Sequence, residues 1–377
     1  MTPLEAFAFL FDCIQLYLDA HICQEKFSRV TVIFNKMVYT NFNNLTTVIS
    51  MLYILIGILL CLLVLLCALY AYNIAFYSPK NNRTSIDTPL IGSQYDAVSE
   101  DLHKLGHIME RYPFEPVTIT SCDGYKLFGR YYHVCDGAPI ELLFHGYRGY
   151  AFRDCSGFHA LSRKLGFNAL VIDQRAHGDS ECSTITFGIK ERWDCLSWVD
   201  YCNARFGTQI PILLCGLSMG AATVLMATDL ALPDNVCCVI ADSPYSAPGA
   251  IIEKVCEDLH YPVPLFRPFI KLGAKLFGSF QLNDCTAKDS VKHSKIPILL
   301  IHGEEDLLVP HSMSYEIRDA CAARAEVHTF PHAGHGLSYM ADPLRYEQII
   351  YEFLLSIPVL TDKISDSFCN HYFDNQT

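Results

Sequence analysis

Residues 211–228 read PILLCGLSMGAATVLMAT, and the rest of the chain is organised around them. The apolar run from Pro211 to Cys215 has the length of a short buried strand. It stops at Gly216-Leu217-Ser218-Met219-Gly220 and restarts as a stretch rich in Ala, Leu and Met, good helix formers. A G-x-S-x-G sequence between strand and helix forms a strained turn that holds the serine hydroxyl out over the sheet edge. The glycines have a steric task. Strand and helix come too close for side chains at 216 and 220, and glycine tolerates the unusual backbone. The spacing by itself is a weak signal and gains weight from the strand–turn–helix context. The bland alternative is a packing turn with a solvated serine.

Outward from this turn, the chain alternates between strand and helix patterns. Residues 117–120 and 126–133 read as strands joined at Asp123-Gly124, a hairpin signal. Strands follow at 140–144, 169–173, 236–241, 296–301 and 327–330. Helices are expected at 157–165, 189–205, 313–322 and 343–357. An antiparallel opening followed by β/α alternation predicts an α/β fold: a mostly parallel central sheet with helices on both faces. The alternation is interrupted between Asp242 and Lys295 by an aromatic stretch broken by prolines at 262, 264 and 268. Prolines at that spacing argue against a continuous helix. The segment at about 243–290 is therefore expected to be a bent helical cap over the strand ends. Tyr261, Phe266 and Phe269 are its candidate substrate-binding residues. The alternative is ordinary helices packed beside the sheet.

A serine hydroxyl needs a base to take its proton, and the base needs an acid to hold its tautomer. Downstream of Ser218, the strand at 296–301 runs into His302-Gly303-Glu304-Glu305-Asp306, three carboxylates at a strand end. After the last strand comes Pro331-His332-Ala333-Gly334-His335-Gly336, with two candidate bases. A developing oxyanion needs donors. The amide after the serine, that of Met219, is one candidate. The turn His145-Gly146-Tyr147-Arg148-Gly149 supplies the other, the Tyr147 amide. Arg148 stands open between substrate contact and plain surface.

Composition bounds the rest. A net charge of −12 over 377 residues argues against nucleic acid as a partner, because an acidic balance disfavours a basic face for phosphates. Hydrophobic residues make up 51%, high enough to place part of the chain in lipid. Residues 37–79 carry no charge, and 48–77 read as one transmembrane anchor ending in a belt of Tyr70, Tyr72, Phe76 and Tyr77. The flanking charges lean only slightly to a cytoplasmic N-terminus, so the side carrying the globular part stays open. Residues 1–47 stay unassigned; Phe9, Cys13, Leu16 and Leu18 hint at an amphipathic helix there. Residues 78–109 read as a polar linker, 110–357 as the globular domain and 358–377 as a polar tail. The 17 cysteines include no C-x-x-C pair and read mainly as free thiols in a reducing or anaerobic setting.

The stretches LLFHGYRG, VIDQRAHGDSE, GIKERWDCLSWVDY, CGLSMGAATVLMA, VIADSPYS, IPILLIHGEEDLLVP and HAGHGLSY resemble the α/β-hydrolase superfamily. Together they are most similar to bacterial membrane-anchored serine hydrolases of esterase/lipase-like and serine-aminopeptidase-like type. The resemblance covers about residues 110–355. It implies an α/β-hydrolase fold, a bacterial cell membrane as location, and the catalytic residues Ser218, Asp306 and His335. Asp306 matches the family's H-G-x-x-D-x-x-V-P pattern, and His335 its G-H-G-like turn. An acyl-enzyme route is implied, with no metal and no organic cofactor. The substrate class expected is an ester of an apolar acid, small or lipid-like. A serine peptidase on short peptides is the alternative enzyme, and a catalytically silent binding module the alternative of another class. Oligomeric state is left open. The chain departs from the pattern at Arg175-Ala176, where many members have Arg-Gly, and in residues 1–47.

Overall fold

The computed structural model describes residues 45–90 and 92–361. The readings of residues 1–44 and of the tail beyond 361 fall outside the described residues. The chain divides between Tyr70 and Ala71 into two compact units. The first holds most of helix α1 (Leu45–Ala75). Its stretch Val48–Ala75, 28 residues, is long and apolar enough to cross a membrane. At ~1.5 Å per residue it extends about 42 Å, against ~30 Å of bilayer hydrocarbon.

The second unit is built on an eight-stranded sheet. Its strands are β1 (Glu115–Thr120), β2 (Lys126–Tyr132), β3 (Ile140–Phe144), β4 (Asn168–Ile172), β5 (Ile212–Leu217), β6 (Val236–Asp242), β7 (Ile298–Gly303) and β8 (Ala325–Phe330). They lie in the order β1-β2-β4-β3-β5-β6-β7-β8. β1 and β2 form the expected hairpin, and β2 runs antiparallel to β4. Every pairing from β4 to β8 is parallel. The central strands are apolar on both faces because helices cover both. Ile212 and Leu214 of β5 join the core on one face, while Leu213 and Cys215 join the core on the other. The helices are α2 (Ser99–Glu110), α3 (Ser156–Leu165), α4 (Glu191–Phe206), α5 (Met219–Ala227), α6 (Pro248–Asp258), α7 (Val263–Phe277), α8 (Ser312–Ala320) and α9 (Pro343–Leu355), with single helical turns between some of them.

Three expectations need correction. First, residues 262–277 do not form a proline-broken cover: α7 is one helix with Pro268 inside it. Pro264 sits in the first turn, where an amide has no intrahelical partner anyway. Pro268 faces solvent, so water can satisfy the carbonyl it leaves unpaired. The inner face, Ile270 and Ala274, packs into the core beside Ile251 and Ile252 of α6. Second, Tyr72 and Phe76 do not belong to an interfacial belt. Phe76 is fully buried, edge-on to Phe280 at 5.2 Å and Phe187 at 5.8 Å, and Tyr72 lies 5.7 Å from Phe277. Third, the stretch read as a linker, 78–109, contains α2. Its apolar positions Leu102, Leu105 and Met109 recur at helical spacing, and Glu100 and Asp101 lie in its first turn, where acids favour the helix dipole.

Candidate active site

The strand-to-helix turn after β5 has the geometry its glycines require. Ser218 sits at φ 55°, ψ −113°, a strained conformation for a residue with a side chain. A Cβ on Gly216 would stand 2.3 Å from the Gly220 carbonyl carbon, and one on Gly220 would stand 2.1 Å from the Phe144 oxygen. Neither position admits a side chain. The turn is tied to the neighbouring strand by the Ser218 amide, which donates to the Asp242 carbonyl at 2.8 Å.

The loop after β8 brings His335 to this turn. His335 Nε2 is 2.8 Å from Ser218 Oγ, and His335 Nδ1 is 2.7 Å from Asp306 Oδ2. Asp306 accepts on its other oxygen from the Leu308 and Val309 amides, at 2.9 and 2.7 Å. It follows that His335 donates through Nδ1 to the carboxylate and accepts from the serine hydroxyl through Nε2. His332 does not take part. It is exposed and pairs with Glu305 at 2.8 Å, while Glu304 accepts from Thr329.

A second imidazole stands behind the carboxylate. His302 is fully buried. Its Nε2–H donates to the Val309 carbonyl at 2.9 Å and lies 3.2 Å from Asp306 Oδ2. Its Nδ1 accepts from Ser314 Oγ at 2.7 Å. The electrostatics are self-consistent. Burial works to raise the Asp306 pKa, but the charge of His335 and the hydrogen bonds from His302 and His335 hold it well below the usual carboxylate range. For His335 burial works to lower the pKa; the Asp306 charge and hydrogen bond outweigh it and leave the imidazole above its ordinary value.

The loop 145–149 faces the serine from the end of β3. Three of its amides are engaged. Gly146 N–H donates to Asp154 Oδ2 at 3.1 Å, Arg148 N–H to His177 Nε2 at 2.9 Å, and Gly149 N–H to the Gly146 carbonyl at 3.0 Å. Among the described residues no acceptor engages the Tyr147 amide or the Met219 amide, the first of α5. Both therefore keep a free donor beside Ser218.

A cavity of about 190 Å³ reaches Ser218 and His335. Its apolar wall includes Leu90, Leu102, Leu105, Leu337 and Met340. Tyr261, Phe266 and Phe269 do not line it, which corrects their assignment as substrate-binding residues. Tyr261 and Phe266 pack on each other, rings 4.8 Å apart, and Phe266 leans on the core with α6 and α7. The cover comes instead from the segment before β1. Gln94 accepts from the His335 amide at 2.9 Å, and Tyr95 lines the cavity. No sequence signal marks Gln94. His302 opens the same short stretch that delivers Asp306, but nothing in that pattern gives it a role. No group of three or more His, Cys, Asp or Glu side chains among the described residues is placed to hold a metal ion.

Comparison with known proteins gives a coherent picture. The Alpha/beta hydrolase family model matches residues 142–349, more than half of the chain. The chain is similar to Uncharacterized protein YqkD of Bacillus subtilis (strain 168), 24% identical over 302 residues that cover 79% of this chain and 95% of that protein. It is similar to Lysophosphatidylserine lipase ABHD12 of Danio rerio, 23% identical over 237 residues, 60% of this chain and 57% of that one. Among solved structures, Pyrococcus furiosus esterase Pf2001 superposes with a TM-score of 0.54 at 24% identity, covering 73% of this chain and 99% of that one. The last likeness is one of fold.

Proposed function

This chain belongs to the alpha/beta hydrolase family, and we propose that within it the chain is a serine hydrolase that cleaves carboxylic esters of apolar acids through an acyl-enzyme. One observation carries this reading: the hydrogen-bonded row Ser218–His335–Asp306, set at a strained strand-to-helix turn beside an apolar cavity. Ser218 Oγ attacks the ester carbonyl as its proton passes to His335 Nε2. Asp306 holds His335 Nδ1–H and stabilises the imidazolium that forms. The Tyr147 and Met219 amides take the negative oxygen of the tetrahedral intermediate. Collapse breaks the ester C–O bond, and the leaving alcohol takes the proton from His335. Water then attacks the acyl-serine with His335 as base, releasing the acid and restoring Ser218. The name of the zebrafish relative, a lysophosphatidylserine lipase, supports an acyl ester as substrate. We further propose that α1 anchors the enzyme in a membrane.

The test is Ser218→Ala. Turnover of p-nitrophenyl esters should fall by on the order of 10⁶ in kcat, with the circular dichroism spectrum unchanged, and fluorophosphonate labelling should vanish. Labelling that persists in that variant would overturn the reading.

A further inference from the structure

The loop that holds the Tyr147 amide is fastened from outside by the end of the apolar helix. The last four carbonyls of a helix have no partner within it and carry the negative end of its dipole. In α1 two of these are met by the side chains of the loop at 145–149. Tyr147 Oη donates to the Ala75 carbonyl at 2.9 Å. Arg148 Nη2 donates to the Ile74 carbonyl at 2.9 Å and to the Tyr77 carbonyl, just past the helix, at 3.1 Å. All five residues lie in the second unit.

The two side chains leave the loop toward α1. The Tyr147 ring is held flat against Phe187, 4.9 Å away, and Phe187 meets Phe76 edge-on. Arg148 sits at φ 48°, in the left-handed region, and its amide is held by His177. A non-glycine residue keeps that conformation only where its surroundings hold it there. The Tyr147 amide is the free donor of the loop: it belongs to the Gly146–Tyr147 peptide, whose carbonyl accepts from the Gly149 amide at 3.0 Å and lies 2.8 Å from His145 Nδ1, while the Tyr147 side chain clamps the other end. The side-chain clamps of residues 147 and 148 end on three carbonyls at the end of α1.

We propose that Tyr147 and Arg148 are positioning residues through which the last turn of α1 sets the Tyr147 amide against the oxyanion. Turnover then depends on the helix end being in place. The proposal rests on the reading of Ser218 as nucleophile. Its physical basis is that a preorganised donor counts only within a few tenths of an ångström of the developing charge, and that small misplacements are costly in rate.

The experiment uses the full chain in detergent micelles with p-nitrophenyl butyrate as probe. Tyr147→Phe removes one hydroxyl and keeps the ring and the amide. Arg148 is exposed, so Arg148→Ala leaves the core intact. Each variant should lower kcat, and the pair should lower it about tenfold or more, with KM within about twofold of the parent. Arg148→Lys, which keeps a charged donor, should restore part of the loss. An unchanged kcat in the double variant, whatever its melting temperature, would show that the clamp only fixes the helix and would overturn the proposal. A loss carried wholly by KM would overturn it too. Ser218→Ala runs in parallel. Turnover lost there but kept in the clamp variants rejects this inference alone, whereas turnover kept in Ser218→Ala removes the reading beneath it.

Discussion

At the scale of single residues the site is a balance between burial and charge. Ser218 and His335 are each only 8% exposed, so imidazole and carboxylate act on each other with little screening by water. The His335 pKa lies above the ordinary value of 6.5; burial opposes the shift and the Asp306 charge drives it. A base must be neutral to accept the serine proton. A raised pKa therefore moves the acid limb of activity upward: kcat/KM for p-nitrophenyl butyrate should fall on acidification with a midpoint above 6.5. Asp306→Asn removes the charge and should move the midpoint down while lowering the plateau. A midpoint that stays put in Asp306→Asn would show that the carboxylate does not set it. The same shift has a sign for stability. The charged pair favours the fold fully below the unfolded histidine pKa, and this contribution is lost as pH rises through the folded value. The turn at Ser218 is legible at a strand end, and of the carboxylates and histidines at two other strand ends it is the family resemblance that points to Asp306 and His335. Gln94 could not be picked out, because accepting from the His335 and Leu307 amides leaves no mark in a polar, turn-rich stretch.

At the scale of elements the strands were the readable part. Five- to seven-residue apolar runs between turn signals are hard to place anywhere but in a covered sheet. The two misread helices failed for different physical reasons. In α7 the prolines looked prohibitive, yet one sits in the first turn and the other faces water. In α2 polar residues outnumber the apolar ones, while Leu102, Leu105 and Met109 keep helical spacing. The outcome matters for substrate choice, because α2 and not α7 lines the cavity at Ser218. Each methylene buried there contributes about 0.8 kcal/mol, so medium acyl chains should be preferred over acetyl in p-nitrophenyl esters. Leu105→Trp fills part of the cavity and should erase that preference. Phe266→Ala, on the other flank, should leave the profile unchanged even if it lowers stability. If the two variants behaved the other way round, the acyl chain would lie under α7.

At the scale of the whole molecule, the composition places the break between apolar helix and domain near Pro79, because charge and polarity return there. The fold places it between Tyr70 and Ala71. The nine residues between are uncharged, and composition cannot separate an apolar residue bound for lipid from one bound for a core. Phe76 fills a fully buried site between Phe187 and Phe280. Tyr72 Oη lies 2.6 Å from Thr184 Oγ1, and the Ser78 hydroxyl donates to the Ala176 carbonyl at 2.8 Å. Ala176 is buried at φ 62°, so this loop has little room to adjust. Arg83 then donates to the carbonyls of His177, Gly178, Ser180 and Cys182. A protein starting at Lys80 keeps Arg83 but loses Phe76, Tyr72 and the carbonyls that hold Tyr147 and Arg148. Emptying a buried phenylalanine site costs about 3–5 kcal/mol, a large share of the ~5–15 kcal/mol that holds a domain folded. A protein starting at Ala71 keeps all of these contacts while shedding most of α1. The Ala71 start should therefore be soluble, cooperative in thermal unfolding and able to turn over ester. The Lys80 start should melt well below it, aggregate more readily and turn over poorly. The two are compared by scanning calorimetry and by kcat on one ester, at equal concentration and without detergent. Equal melting temperatures would mean that residues 71–79 add nothing to the stability of the domain.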